Sequence, residues 1–181
     1  MGILDRFRSG KKNQPDPVSD LTLAKLEPGY LVDFDLKTWE VTARNTYDWG
    51  EGDLSHEWRL VSGDDAVFLE LESDDEEDWS LNRKIPFNRL EAGLKEHILE
   101  KGDPPRELTL EGRTFYLEEM AGGHFLKDGQ RPGQPLLSWS YEDDEGETYL
   151  TLEQWGEEDF EAFLGRPVEE YQFTNILPRE G

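Results

Sequence analysis

From Leu21 onward the chain alternates apolar and polar residues in short runs bounded by turn residues, the two-residue period of half-buried β-strands. Pro28-Gly29 predicts a turn ahead of a strand at Leu31 to Phe34, and a strand at Trp39 to Ala43 follows a short turn at Leu36 and Lys37. Strands at His56 to Val61 and Ala66 to Glu72 flank Ser62-Gly63-Asp64-Asp65, a hairpin connection by its turn chemistry. The same order recurs at Glu107 to Leu110, Phe115 to Glu119, Leu137 to Tyr141 and Thr148 to Glu153, with Asp143 to Gly146 as the matching hairpin turn. Each set reads as a meander of about four strands.

The recurrence extends to residue identity. Glu57 to Trp79 lies without a gap over Ser138 to Phe160 at a constant offset of 81, and seven of the 23 pairs are identical, including Trp58/Trp139, Leu69/Leu150 and Leu71/Leu152. Four of the seven are acidic in a chain with 42 Asp and Glu, so the apolar matches carry the weight. A second block aligns at an offset of 76, placing Val32 and Phe34 over Leu108 and Leu110, and Trp49 over Phe125. The change of offset puts about five extra residues into the second copy, where the polar stretch KDGQRPGQP tolerates insertion. Self-similarity of this kind predicts internal pseudo-symmetry.

Between the copies Phe87, Leu90, Leu94 and Ile98 recur at helical spacing, Asn88 and Glu91 have the spacing of a capping box, and Gly102-Asp103-Pro104-Pro105 ends the run. After the second copy, Glu161 to Leu177 is expected to hold a short helix and a final strand at Tyr171 to Ile176. The expected fold is mainly β: two pseudo-symmetric antiparallel meanders forming a sandwich or barrel-like roll, with one amphipathic helix at about 87–101. Residues 1–20 form a basic tail and linker, and 21–181 a single duplicated domain. Within it copy one runs over about 21–86, the linking helix over 87–102 and copy two over about 103–181. Trp58 and Trp139, inside strands, are core residues.

Composition changes this picture only at the surface. The net charge is -23, and because Met1 to Lys12 sums to +3, the remainder carries -26. Such a body repels nucleic acid phosphate, which excludes direct nucleic acid binding, and the acidity otherwise signals solubility, salt adaptation or mimicry of a polyanion. The hydrophobic fraction is only 35%, but six Trp, six Tyr and nine Phe supply the burial a fold needs. With no Cys, no apolar run of membrane-spanning length and no signal-peptide core after Met1, a cytoplasmic protein is expected. In a helix Ile3, Leu4 and Phe7 would share a face flanked by Arg6 and Arg8, the pattern of a peripheral membrane contact. Three apolar residues bind weakly, so an unanchored tail is the other reading.

Catalytic motifs are missing from the sequence. His56, His97 and His124 are scattered, and no nucleophile elbow, phosphate loop or dinucleotide fingerprint occurs, so no catalytic residue, cofactor, metal or small-molecule substrate is assigned. The acidic runs Asp74 to Asp78 and Glu157 to Asp159 lack the alternating pattern that converges ligands on calcium, and read as solvated turns. Tyr47, Trp49, His124 and Phe125 fall in Gly-rich segments read as loops at corresponding places in the two copies and are the candidates for contact with a protein partner. Large aromatics can equally fold back to plug the open end of a sheet.

The run LEPGYLVDFDLKTWEV, followed by EWRLV, a hairpin turn and VFLELE before an acidic segment and Trp79, resembles the bacterial domain of unknown function 4178. The first copy carries the clearer likeness and the second a degenerate one, as if the unit were present twice. The resemblance implies no established chemistry; it implies companionship with envelope-stress proteins of the phage-shock type and with small membrane proteins. The expected function is a non-enzymatic binding or adaptor protein near the inner face of a bacterial membrane. The alternative is an acidic decoy that imitates nucleic acid on a basic protein.

Overall fold

The computed structural model describes residues 20–180. Ile3, Leu4, Arg6, Phe7 and Arg8, named above for membrane contact, lie outside them. The strands are β1 (Leu31–Phe34), β2 (Lys37–Gly50), β3 (Asp53–Ser62), β4 (Asp65–Ser73) and β5 (Glu77–Ile85). A single α-helix among the described residues, α1 (Leu94–Lys101), precedes β6 (Glu107–Leu110), β7 (Arg113–Leu126), β8 (Gln134–Asp143), β9 (Tyr149–Gln154), β10 (Phe160–Val168) and β11 (Thr174–Leu177). All pairings are antiparallel, in the order β11-β1-β2-β3-β4-β5-β10-β9-β8-β7-β6. The second half of β2 also pairs with the end of β7, which closes β2-β3-β4-β5-β10-β9-β8-β7 into an eight-stranded barrel. The mainly β, barrel-like fold expected from the alternation is the one observed.

Closure depends on bending. β2 and β7 are the longest strands, and each carries a register shift, at Val41/Ala43 and Leu117/Glu119, that turns its first part outward to pair with β1 or β6 and its second part inward to the seam. The outer faces bury two separate apolar clusters. One gathers Val32, Trp39, Trp58, Leu60, Leu69 and Phe173, and the other Leu108, Phe115, Trp139, Tyr141, Leu150 and Ile98. Trp58 and Trp139 are fully buried and satisfy their indole N–H groups alike, on the Leu26 carbonyl and the Asp103 carboxylate of the segments that lead into each half.

The strand bounds reproduce the offsets of the sequence: 76 for β1/β6 and β2/β7, and 81 for β3/β8. The five extra residues lie where expected, since Glu51-Gly52 joins β2 to β3 while residues 127–133 join β7 to β8. Ladder registers extend the relation to β5/β10 at an offset of 83. At both seams equivalent residues then face each other, Asp48 with His124 across β2 and β7, and Asn82 with Gly165 across β5 and β10. That is the geometry of a pseudo-twofold axis running through the barrel.

Some local expectations are corrected. The amphipathic run at 87–101 is not one helix: Phe87–Arg89 forms a 3-10 turn after Pro86, Leu90 is extended, and Gly93 in the left-handed region starts α1. Burial, not helical continuity, explains the apolar spacing, because Leu90, Leu94 and Ile98 all enter the second cluster. Glu91 makes no cap and accepts instead from the Thr109 N–H at 2.8 Å. Each half has five strands, not four, since β5 and β10 follow the acidic turns. Glu170–Gln172 is a 3-10 turn, and the last strand begins at Thr174.

Candidate functional site

Strand alternation sends Trp58, Leu69 and Leu152 to the apolar clusters and their neighbours into the lumen. Glu57 on β3 stands directly opposite Glu70 on β4, and Glu153 comes from β9 on the far side of the ring. The Tyr47 hydroxyl from β2 joins them, donating to Glu57 Oε2 at 3.1 Å and lying 3.4 Å from Glu153 Oε1. Asn45 donates to Glu57 Oε1 at 3.1 Å, while Ser55 and Asn82 reach the two oxygens of Glu70 at 3.4 Å. Glu57, Phe68, Glu70, Asn82, Thr151, Glu153 and Phe163 surround a chamber of about 20 Å³, room for a single water and not for a substrate.

Much of the lumen is filled by unequal pairs. At equivalent positions of the two halves Tyr47 matches Gly123, Glu57 matches Ser138, Glu70 matches Thr151, Asn82 matches Gly165 and Phe163 matches Ser80. Two large side chains related by an axis would collide there, so one half supplies bulk and the other yields space.

Burial dominates the electrostatics. It raises the Glu70 carboxyl well above the ordinary range, reinforced by Glu57, Glu72 and Glu153, and raises Glu57 against the opposing pull of Asn45 and Tyr47. Burial, then the charges of Glu57 and Glu161, push Glu153 up to about 8. Burial beside Glu57 and Glu153 also holds the Tyr47 phenol neutral, far above its usual titration.

Tyr47 and Trp49 are not loop residues but belong to β2, and His124 and Phe125 belong to β7. The β2/β7 seam brings all four together, Tyr47 opposite Phe125 and Asp48 opposite His124. Tyr47 stacks on Trp49 with centroids 5.4 Å apart, meets Phe125 edge-on at 5.2 Å, and Phe125 meets Trp155 edge-on at 5.3 Å. These aromatics plug one end of the lumen: Tyr47 is buried, Trp49 and Phe125 are half-buried, and only His124 is exposed. Gly123 permits the seam, since a Cβ there would lie 2.7 Å from both the Asp48 carbonyl and the Trp49 ring. The 127–133 connection is tied over it by the Asp128 N–H to Asn45 Oδ1, at 3.1 Å, and by an Arg131–Asp48 ion pair.

On the outer surface, Asp35-Leu36 makes the β1–β2 turn with both residues at positive φ, and Leu36 is fully exposed. The equivalent β6–β7 turn is Glu111-Gly112, which places Gly where the left-handed conformation favours it. Leu36 borders an open groove of about 530 Å³ lined by Phe34, Asp35, Thr38, Gln172 and Thr174. The turn, expected at Leu36 and Lys37, forms one residue earlier, and nothing in the local sequence marked its leucine as exposed or the lumen glutamates as enclosed.

Among the described residues no group of His, Asp or Glu is arranged to hold a metal ion, and no helix is long and apolar enough to cross a membrane. A family described as Domain of unknown function (DUF4178) matches residues 27–170 as one unit that includes both halves. An uncharacterized protein of Aquifex aeolicus (strain VF5) is 30% identical over 183 residues, covering 99% of this chain and all of the relative. No solved structure matches.

Proposed function

We propose, from the premise that the chain belongs to the DUF4178 family, that it is a non-enzymatic binding or adaptor protein whose contact surface is the outer groove beside Leu36. One observation carries the reading: Leu36 is fully exposed and left-handed at a turn where the other half of the molecule uses Gly112. An exposed, strained leucine is disfavoured for folding alone, and such costs collect at working surfaces. The body's large negative charge favours a partner segment that is cationic as well as apolar. A photoreactive residue placed at 36 should form a discrete protein adduct in the native cell, while the same probe at 112 should not. Equal labelling at both positions would remove the proposal, and a partner lost at physiological salt but indifferent to position 36 would favour the acidic decoy.

The same reading places the protein at the inner face of a bacterial membrane, with Ile3, Leu4, Arg6, Phe7 and Arg8 in contact. Its support is sequence alone. Equal liposome flotation with and without Met1 to Lys12 would exclude it. We also propose that the two halves descend from one duplicated unit, a reading supported by the offsets and by the equivalent residues meeting at both seams. Relatives in which Trp58/Trp139 and Leu69/Leu150 change without reference to one another would count against it.

A further inference from the structure

We propose that the barrel lumen is a proton-binding site: at neutral pH the carboxyl cluster of Glu57, Glu70 and Glu153 keeps at least two protons shared among its members, and the closed contact between the two halves depends on its doing so. The three groups come from β3, β4 and β9, two of them directly opposed in one ladder and the third across the ring, joined through the Tyr47 hydroxyl. Like charges directly opposite in a sheet repel, and Glu57 and Glu153 are also shielded from water, at 7% and 6% exposed, while Glu70 is half-buried.

Among the described residues no cation offsets three negative charges there. None of the ion pairs among the described residues involves Glu57, Glu70 or Glu153. Facing groups on the surrounding strands are neutral or acidic: Asn45 and Tyr47 on β2, Ser55 on β3, Glu72 on β4, Asn82 on β5, Glu119 on β7, Ser138 on β8, Thr151 on β9 and Glu161 on β10. A lysine, Lys84, pairs with Glu161 at an exposed rim and reaches no further. Glu153 Oε2 is buried outside hydrogen-bonding geometry, with the equally unsatisfied Trp155 indole N–H as the donor that pulls against its burial; one neutral donor is too little for a full charge and enough for a neutral acid beside a water-sized chamber.

Carboxyls this close titrate as a set that shares protons. Each proton leaves an acid oxygen for solvent as a carboxylate forms, and no other reactant is needed. Desolvation is the leading cause of the upward shift of all three groups.

The test is a pH titration of the full chain labelled with 13C at the glutamate side-chain carboxyl, followed by NMR. Two or more glutamate resonances should keep the chemical shift of the protonated acid at pH 7 and titrate only above it. The isosteric Glu153→Gln should delete one of them and lower the midpoints of the others, while Glu118→Gln on the exposed face should leave the set unchanged. If every glutamate carboxyl of the wild-type protein is ionised at pH 7, the proposal is overturned. That titration needs no variant and decides the matter even if Glu153→Gln fails to fold.

Discussion

Asn82 on β5 and Gly165 on β10 hold the same position in the two halves, and the side chain of the first occupies the space a side chain on the second would need. A Cβ built on Gly165 would overlap Asn82 Oδ1 and lie 3.1 Å from the Leu81 carbonyl. Gly165→Ala should therefore destabilise the protein by about 1–3 kcal/mol, the usual cost of overpacking. Asn82→Gly in the same chain should recover part of the loss. Urea unfolding of the single and double variants measures the coupling, and additive effects would mean that the two residues do not compete for space.

This pair also marks where sequence reasoning stopped. Trp58/Trp139, Leu69/Leu150 and Leu71/Leu152 were visible as repeats because each half buries its own apolar cluster and so needs like residues at like positions. Several lumen positions obey the opposite rule, large against small, so Tyr47/Gly123 and Asn82/Gly165 look like divergence when the halves are aligned, whereas Glu153 repeats its counterpart Glu72. Alternation in β3 and β4 marked Glu57 and Glu70 as the face away from the core. Only the long-range closure of β2 on β7 shows that this face is enclosed and not solvated. β5 was hidden because Ser80 and Asn82 on its lumen face break the apolar run, and β10 occupies Phe160–Val168 where a short helix was expected, its Gly165 and Pro167 arguing against a strand.

Phe125 was a candidate for partner contact, and its place in the plug predicts a different phenotype. It bridges Tyr47 and Trp155 across the β2/β7 seam. Phe125→Ala should cost about 2–4 kcal/mol, near the low end of large-to-small losses because the ring is half-buried. Thermal unfolding should show the loss without any partner present. An unchanged midpoint would return Phe125 to the surface-contact candidates.

Leu36 behaves in the opposite way. Replacing a left-handed, fully exposed leucine by the residue its counterpart uses removes strain and no packing, so Leu36→Gly should raise stability by about 1 kcal/mol. Gly112→Leu should lower it by a similar amount. A stabilised Leu36→Gly protein that also loses the adduct at the groove would separate binding from folding. A destabilised one would show that Leu36 serves the fold.

Stability as a function of pH should be highest in mildly acidic solution and fall on both sides, for two different reasons. On the acid side, hydrogen bonds and charge from Arg83 and Lys37 hold Asp65 at about 2, below its usual 3.8. The unfolded chain therefore takes up that proton first, and this contribution is lost as pH falls from about 3.8 through about 2. On the alkaline side the sign reverses. Glu153 moves from 4.5 to about 8 on folding, and Glu57 and Glu70 also rise, so the folded state retains protons that the unfolded chain has released. Their contribution is complete below about 4.5 and drains away as pH climbs toward about 8. One carboxyl shifted that far is worth up to ~5 kcal/mol, comparable with the whole stability of many domains. His56, lowered by burial and by Arg44, opposes this trend near its own titration, but it is only partly shielded. Urea midpoints measured between pH 4 and 9 should descend steadily above pH 5, and Glu153→Gln should flatten the descent. A wild-type profile that is flat or rising across that interval would mean that the lumen carboxylates are ionised and find compensation the folded chain does not otherwise display.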